Sequence, residues 1–307
     1  MSEPADRVAI CILTFRRPAM LRRLLEDLGR IRIPDGVAVK VAVVDNDAES
    51  SARATVDAAC HLVPFPLTYV TEARRGIAPA RNAAVLAAEP FDFLAFIDDD
   101  ETPSTEWLEQ LVAVQRRTGA DVVTGTVLPS FTTAPPDWLV AGGFFERPRH
   151  EDGAIITYAR TGNVLIAHRL LERHDPPFEA RYGLSGGEDT HFFMRAVSEG
   201  ARIAWADRAA VSETLPSERA SWRWLLAREY HRGHILSMCL CDLTGSPARR
   251  ARRAGHGALR IVTGLLGAGL AVRRGRAGLL RSARQVALGT GMLTGLAGIR
   301  SSPYALR

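Results

Sequence analysis

Over the first 120 residues, continuous apolar runs alternate with segments in which apolar residues recur at helical spacing. A continuous run is typical of a strand buried on both faces of a parallel sheet, and helical spacing indicates an amphipathic helix. Strands that alternate with helices over short connections predict an α/β fold, with a Rossmann-like, mostly parallel central sheet flanked by helices. The predicted strands are 8–15, 37–44, 67–70 and 91–97, and the predicted helices are 18–28, 77–88 and 107–117.

After residue 120 the alternation loosens, although strand and helix patterns continue. A glycine-rich segment at 183–189 leads into a predicted helix that ends at Gly200, a common helix terminator. We predict one domain over residues 1–242, with a first half over about 1–120 and a second half over about 121–242. The further predicted elements are strands 122–128, 160–167 and 201–206 and helices 188–199 and 217–236.

The last part of the chain, residues 243–307, differs in charge. It contains twelve arginines and no Asp or Glu, so it carries +12, whereas residues 1–242 carry −7 of the net +5. Its apolar runs at 261–272 and 286–299 are shorter than the roughly 18–20 residues that span a bilayer. We predict a basic, amphipathic helical tail in the membrane interface, with packing onto the domain of residues 1–242 as the alternative. The tail lacks interleaved aromatic residues, so nucleic acid is not an expected partner.

Two further features bear on location. Four cysteines in 307 residues have neither disulfide-framework nor zinc-finger spacing, so we expect reduced thiols. The first six residues lack the basic and apolar regions of a signal peptide. The expected location is the cytoplasm, with peripheral contact at the inner face of the plasma membrane.

Polar clusters follow three of the predicted strands, at 14–17, 45–47 and 98–100. Ligands of open α/β sheets bind beyond the carboxyl ends of the strands, where such clusters meet. Three clusters at one edge therefore predict a site.

The cluster Asp98-Asp99-Asp100 is the first candidate for a metal site. Three adjacent carboxylates repel one another unless a cation neutralises them, and their hard oxygen atoms suit Mg²⁺ or Mn²⁺. The alternative is a solvated acidic loop or helix start, where acids are also common.

Three other segments offer candidate groups, each with a structural alternative. Asp45 can accept a hydrogen bond from a base or a ribose, or form a turn. The arginine-rich segment 74–82 opens a helix and can bind an anion, or be a solvated face. Glu188 and Asp189 at a helix start can supply a general base, or cap the helix.

Taken together, five segments in this order and spacing resemble the motifs of family 2 glycosyltransferases over about residues 7–235. The segments 98–101 and 186–190 are similar to those of bacterial exopolysaccharide glycosyltransferases of the succinoglycan type. The five segments are 8–18, 43–47, 75–82, 96–101 and 187–190.

The resemblance implies a GT-A fold, an inverting mechanism and roles for individual residues. Residues 1–242 would be the catalytic domain, with a nucleotide-binding half over about 1–120 and an acceptor half over about 121–242. Asp98 and Asp100 would match the Asp-x-Asp pair that holds Mg²⁺ or Mn²⁺, with Asp100 the stronger candidate for direct metal contact. Asp189 would match the catalytic base, with Glu188 beside it. The residues implied to bind the nucleotide sugar are Thr14, Phe15, Arg17, Asp45, Arg75, Arg81, Asp98, Asp99, Gly162 and Asn163, of which Asp45 would contact the base and Gly162 and Asn163 would lie near the donor sugar.

One departure from the family pattern concerns the segment after the predicted base. The Gln-x-x-Arg-Trp motif of processive members is absent from 221–232, which favours transfer of one sugar over polymerisation. His231 and His234 lie close to one face of the predicted helix and could approach the metal, or be surface or packed histidines.

The expected activity is an inverting transfer of one sugar from a UDP- or GDP-sugar to an acceptor hydroxyl. The basic tail favours a glycan on a lipid carrier, as in bacterial exopolysaccharide assembly, and a soluble small-molecule acceptor stays open. A GT-A-like nucleotidyltransferase is a rival, although its usual glycine-rich loop is absent from 14–18. The other rival is a non-catalytic protein that binds a sugar nucleotide or a membrane.

Overall fold

The computed structural model describes residues 6–183, 185–271 and 275–299. Within these residues the chain divides into two compact units. The first contains residues 6–128 and 147–213, and the second contains residues 129–146 and 214–299.

The described strands form one nine-stranded sheet in the order β3-β2-β1-β4-β8-β6-β9-β5, with β7 paired to β9. The first four strands pair in parallel, as predicted for this part of the chain. The pairings of β8 with β4 and β6, and of β9 with β5 and β7, are antiparallel, so the sheet is mixed. The strands are β1 (Asp6–Thr14), β2 (Val37–Asp45), β3 (Leu67–Thr71), β4 (Phe93–Asp98), β5 (Glu101–Pro103), β6 (Val122–Phe131), β7 (Ile155–Ile156), β8 (Asn163–Ala167) and β9 (Ile203–Leu215).

The helices follow the predicted periodicity closely in the first 120 residues. Pro18 begins the first helix, where its missing N–H costs nothing, and four leucines on one face of this helix are buried. The helices are α1 (Pro18–Leu28), α2 (Arg53–Ala59), α3 (Ile77–Ala87), α4 (Trp107–Thr118), α5 (Asp137–Ala141), α6 (His168–Leu171), α7 (Glu188–Ser198), α8 (Trp222–Leu243), α9 (Pro247–Ala271) and α10 (Gly275–Leu296).

The sheet of the first unit is buried on both faces. In β1, Val8, Ile10 and Ile12 belong to one apolar cluster together with the leucines of α1. Ala9 and Cys11 belong to a second cluster with the alanines of α3. Layers on both faces explain why β1 is a continuous apolar run rather than an alternating one.

The register of the parallel strands places three chain segments at one edge. Thr14 at the end of β1 is paired with Asp45 of β2, and Leu13 is paired with Asp98 of β4. The polar clusters that follow these strands therefore emerge side by side, as the sequence predicted.

The second unit is built mainly from α8, α9 and α10, with α10 packed against both other helices. Glycines allow this close packing, because a Cβ at Gly291 would collide with the carbonyl oxygen of Tyr230, and one at Gly295 with that of His234. The predicted boundary after residue 242 falls inside this unit, at the last residue of α8. Residues 272–274 and 300–307 of the predicted tail lie outside the described residues. None of the helices in the described chain is both long and apolar enough to cross a membrane.

Candidate active site

The end of β4 carries a cluster of carboxylates. The backbone N–H of Asp98 donates to the Glu101 carboxylate at 3.1 Å, and the register of β5 with β9 places Glu213 opposite Glu101. A Cβ atom at Gly162 would lie 2.8 Å from the Glu101 carboxylate and 3.0 Å from that of Asp98. The lack of a side chain at Gly162 thus leaves room for these two acids.

The charges in this cluster are not fully balanced by the protein. Burial, followed by the nearby charge of Asp100, raises the pKa of Asp98 to about 7. Burial and then the charge of Asp98 raise the pKa of Glu101 well above its usual range. Such shifts arise where carboxylates are desolvated near other negative charge, and a bound cation would reverse them.

The donor set fits Mg²⁺ or Mn²⁺, which prefer carboxylate oxygens. In the described parts of the chain, no three His, Cys, Asp or Glu side chains form a ready-made metal cage. An ion held by one or two carboxylates and completed by phosphate oxygens or water fits this arrangement, and it is the usual way in which Mg²⁺ is held.

Asp99 is bonded to the end of β1 and to the residue that precedes α1. Its carboxylate accepts from the Thr14 hydroxyl at 2.9 Å and from Arg17 at 3.0 Å. The same Arg17 nitrogen donates to Asp100 at 3.2 Å. Thr14, Arg17 and Asp99 therefore form a bonded group that connects the end of β1 to the acidic cluster.

A cavity of about 230 Å³ lies at the ends of β1 and β2. The guanidinium of Arg16 lies 5.2 Å from the centre of the Phe15 ring, and that of Arg75 lies 5.8 Å from it. An aromatic ring flanked by arginines suits a ligand that has both a flat base and negative charge. The cavity is lined by Phe15, Arg16, Asn46, Asp47, Ala48, Glu49, Ala73 and Arg75.

Asp45, expected at the nucleotide base, does not line this cavity and is fully buried. Its carboxylate accepts from the backbone N–H groups of Asp47 and Ala52, at 3.1 and 2.7 Å, and from the Tyr69 hydroxyl at 2.8 Å. These three donors hold the segment after β2 in place, so the following residues, rather than Asp45, reach the cavity.

Asn46 joins the loops around the cavity. Its amide nitrogen donates to the carbonyl groups of Glu72 and Arg74, both at 2.8 Å, and its amide oxygen accepts from the Gly76 N–H at 3.0 Å. Gly76 has a φ of 125°, and a Cβ there would lie 2.9 Å from the carbonyl oxygen of Gly183. Only glycine suits this position, where the loop before α3 meets the segment before α7.

Arg81, which the resemblance implies to bind the nucleotide sugar, is only 4% exposed. It forms a buried ion pair with Glu188, which is 2% exposed. The charge of Arg81 also acts on Asp98, whose pKa it lowers against the larger effect of burial. The Arg81–Glu188 pair thus connects α3 to the start of α7, and the charge of Arg81 also reaches the acidic cluster.

Asp189 differs from its neighbour Glu188 because it is only partly buried. It accepts from the backbone N–H of Thr190 at 2.6 Å and from the Thr190 hydroxyl at 3.2 Å. Gly186 and Gly187, with φ values of 73° and 96°, provide the turn that leads into α7. Because adjacent residues of a helix point in different directions, Glu188 is buried while Asp189 is partly exposed.

Asn163, expected near the donor sugar, is part of the core. Its amide oxygen accepts from the Trp107 indole at 2.8 Å, and its nitrogen donates to the carbonyl groups of Thr126 and Ala209, at 3.0 and 2.8 Å. The amide is therefore fully used in holding β8 against its neighbours, while the adjacent Gly162 lies at the acidic cluster.

The sequence analysis gave no individual role to Asn46, Asp47, Glu101 and Glu213, which the structure brings to the site. Asn46 and Asp47 directly follow Asp45, and Glu101 directly follows the three aspartates, so sequence proximity could have indicated them. Glu213 has no such local signal, because only the pairing of β5 with β9 brings it near. Arg147 forms an ion pair with Glu213.

The two histidines belong to the second unit. His234 is fully buried on α8, and its ring lies 3.3 Å from the Thr294 hydroxyl of α10 and stacks on Tyr230. Burial lowers its pKa. His234 is therefore a packed histidine, and His231 is partly buried on the same helix.

An aromatic and arginine-lined cavity beside buried carboxylates, at the strand ends of a mixed α/β sheet, defines a GT-A glycosyltransferase. The chain belongs to glycosyltransferase family 2, because the model of Glycosyl transferase family 2 matches residues 9–174. This confirms the resemblance drawn from the five sequence segments.

Known proteins agree with this assignment. The succinoglycan biosynthesis protein ExoM of Rhizobium meliloti (strain 1021) is 37% identical over 236 residues, which are 76% of this chain and 75% of ExoM. A glucosyl-dolichyl phosphate glucuronosyltransferase of Haloferax volcanii is 26% identical over 214 residues, 63% of this chain and 64% of that protein. The mannosyltransferase PcManGT from Pyrobaculum calidifontis, solved with GDP-Man and Mn²⁺, has a TM-score of 0.65 at 20% identity, covering 97% of this chain and 90% of PcManGT. This structural likeness confirms the fold.

Proposed function

We propose that the protein is an inverting glycosyltransferase that moves one sugar from a UDP- or GDP-sugar to a hydroxyl of a lipid-linked glycan during exopolysaccharide assembly. The observation that carries the proposal is the buried acidic cluster at the end of β4, beside the Phe15 cavity. Similarity to a succinoglycan biosynthesis protein supports the exopolysaccharide role. Similarity to an enzyme named for glucosyl-dolichyl phosphate supports the lipid-linked acceptor.

The nucleoside would lie in the cavity at the ends of β1 and β2. Phe15 offers a flat apolar surface for the base, and Asn46 and Asp47 shape the cavity through their hydrogen bonds to the residues around it. Arg75 is exposed beside the ring and suits the diphosphate. Asp45 supports this cavity from below through its hydrogen bonds to the chain.

A divalent cation would be held by Asp98 and Asp100. Mg²⁺ or Mn²⁺ bound there would stabilise the negative charge that develops as the nucleoside diphosphate leaves. Arg17 bridges Asp99 and Asp100 and so orients the second of the proposed ligands. Thr14 and Asp99 would act through this bonded group rather than by direct contact with the donor.

Asp189 would be the general base, because it is the accessible acid at the start of α7. It would take the proton of the acceptor hydroxyl while that oxygen attacks the anomeric carbon opposite the leaving diphosphate. The single displacement forms one glycosidic bond, breaks the bond to the diphosphate and inverts the configuration. Glu188 would position this helix start through its pair with Arg81.

The test begins with a panel of UDP- and GDP-sugars, assayed for hydrolysis and for transfer with Mn²⁺, Mg²⁺ or EDTA. A glycosyltransferase releases nucleoside diphosphate, whereas a nucleotidyltransferase forms or consumes pyrophosphate. We expect metal-dependent release of nucleoside diphosphate with one preferred donor. Pyrophosphate chemistry, or no turnover of any donor, would reject the proposal.

The base is tested by Asp189→Asn, which should lower transfer by about 10²–10⁴-fold, the usual contribution of general base catalysis. Donor binding measured by calorimetry should change little. Asp57→Asn, at an exposed position on α2, is the matched control and should retain activity. Transfer by Asp189→Asn at the wild-type rate would show that another group is the base.

The acceptor is tested with an organic extract that contains polyprenyl-diphosphate glycans, against free oligosaccharides in water. The proposed site of action is the inner face of the plasma membrane, with contact through residues 243–307. Preferential transfer to the lipid fraction supports this location. Equal or better transfer to free oligosaccharide would favour the soluble acceptor.

A further inference from the structure

A second, larger cavity lies within the second unit, between α8, α9 and α10. Its volume is about 800 Å³. It is formed entirely by these helices and is separate in sequence from every residue assigned above to the donor, the metal or the base. Nothing in the transfer mechanism explains why helices that pack so closely elsewhere leave this space.

The lining of this cavity is strongly cationic. It includes the four arginines Arg232, Arg253, Arg260 and Arg281, together with His256, and no Asp or Glu. Burial and then the charges of Arg260 and Arg232 lower the pKa of Arg253, as expected where cations are crowded. Crowded arginines are costly unless an anion is available to them.

Charge compensation within the protein is partial. Arg232 pairs with Glu229 at 2.8 Å, which lies outside the lining. Arg260 donates to the neutral side chain of Gln285, and Arg281 donates to the carbonyl group of Gly142 at 3.3 Å. Two of the four guanidinium groups thus have neutral hydrogen-bond partners and can still bind an anion.

Arg253 gives the most direct sign of a ligand. Its Nε donates to the Ser237 hydroxyl at 3.0 Å, which fixes the side chain. Its Nη2 atom is buried, yet within the described residues it has no hydrogen-bond partner. A buried charged donor without an acceptor is unfavourable, and a phosphate oxygen would satisfy it.

The surface next to the cavity is apolar. Leu259, Val262, Leu265 and Leu266 of α9 are 60%, 50%, 62% and 71% exposed. They recur at helical spacing and form a ridge on α9, and Leu259 also lines the cavity. A cationic cavity that continues into an exposed apolar ridge matches a molecule with an anionic head and a hydrocarbon chain.

We propose that this cavity binds the phosphate or diphosphate headgroup of a membrane lipid, while the α9 ridge lies against the hydrocarbon. Arg253 and Arg260 would hold the phosphate oxygens, and His256 and Arg281 would complete the site. The inference extends the membrane contact in the proposed function and identifies its site. It does not depend on sugar transfer, so binding is the readout.

Two probes separate the sources of phosphate. The full chain is sedimented with phosphatidylcholine vesicles that contain or lack phosphatidylglycerol, and it is titrated with inorganic pyrophosphate by calorimetry in EDTA, which suppresses metal-dependent binding at the donor site. We expect binding to the phosphatidylglycerol vesicles and a measurable affinity for pyrophosphate. Pyrophosphate binding without vesicle binding would mean a soluble ligand and would overturn the lipid assignment.

Matched double variants test the residues. Arg253→Gln with Arg260→Gln removes two cavity charges, and Arg249→Gln with Arg252→Gln removes two charges from exposed positions on the same helix, outside the lining. The cavity pair should weaken binding of both probes at least about tenfold more than the control pair. Equal losses would mean a general surface attraction and would reject the cavity.

The ridge is tested separately by Leu265→Ser with Leu266→Ser, at exposed positions where folding is not at risk. This variant should lose vesicle binding and keep pyrophosphate binding. Retained vesicle binding would refute the proposed contact of the ridge with hydrocarbon.

The single variant Arg260→Gln, also at an exposed position, is the test to use if the change at Arg253 impairs folding. Donor hydrolysis should be unchanged in all these variants. Vesicle binding therefore tests the lipid site, and donor hydrolysis tests the glycosyltransferase. A failure of one of these measurements leaves the other proposal standing.

Discussion

The ends of β2 and β4 carry carboxylates that look alike in the sequence and differ in the structure. Asp45 and Asp98 each end a buried apolar strand, and an acid follows each within two residues. Asp45 accepts three hydrogen bonds from the chain. Asp98 instead lies among Asp100 and Glu101, and its pKa is raised to about 7 by burial and by the nearby charge. Satisfied hydrogen bonds mark a structural carboxylate, and unbalanced charge marks one available to a cation.

The largest expected effect is on catalysis at the end of β4. Asp98→Asn should lower sugar transfer by about 10²–10³-fold, because it removes a proposed metal ligand and the charge stabilisation that depends on it. The free energy of unfolding without metal should stay the same or rise, since a neutral amide relieves repulsion from Asp100 and Glu101. Steady-state kinetics and urea denaturation measure the two effects.

Asp57→Asn is again the control, because it changes the same charge at an exposed helix position. It should leave both transfer and unfolding unchanged. A marked loss of stability in Asp98→Asn would place Asp98 in the same structural class as Asp45, and the comparison would fail.

The second effect is on stability at the end of β2. Asp45→Ala should lower the free energy of unfolding by about 3 kcal/mol, because it leaves two backbone N–H groups and the Tyr69 hydroxyl without their buried acceptor. Urea denaturation measures this, with Asp57→Ala as the matched control. A stable Asp45→Ala protein with abolished donor binding would instead support direct contact between Asp45 and the nucleotide.

The third expected effect is stabilisation of the protein by an ion bound at the acidic cluster. Mn²⁺ should raise the free energy of unfolding by about 2–3 kcal/mol at a concentration near 100 times its dissociation constant, and EDTA should reverse this. Thermal unfolding of wild type and of Asp98→Asn measures the difference. An equal Mn²⁺ shift in both proteins would place the ion elsewhere.

The sequence predicted the first half of the fold well for a physical reason. Continuous apolar runs and the leucine spacing of α1 report burial directly, so β1, β2, β4 and α1 were confirmed. The antiparallel second half was harder, because the pairing of β8 with β4 depends on contacts distant in the chain. The expectation that ligands bind beyond the carboxyl ends of the strands likewise predicted where the polar clusters meet.

The roles of individual side chains could not be read in the same way. The sequence places Asp45, Arg81 and Asn163 near the site but does not show that other groups in the chain already use their polar atoms. Arg81 is paired with Glu188, and Asn163 with a tryptophan and two carbonyl groups. Hydrogen-bond partners are set by tertiary packing, which local patterns do not encode.

The smallest expected effect tests an intermediate case, Asp99, which lies in the acidic cluster but has partners in the chain. Asp99→Asn keeps an oxygen that can accept from Thr14 or Arg17 and loses the charge, so the free energy of unfolding should fall by only about 1 kcal/mol. Transfer should fall far less than in Asp98→Asn, because Asp100 and Asp98 remain to hold the ion. Urea denaturation and kinetics of both variants, made side by side, decide this. If Asp99→Asn loses as much activity as Asp98→Asn, hydrogen-bond partners within the chain do not separate structural from functional carboxylates at this edge.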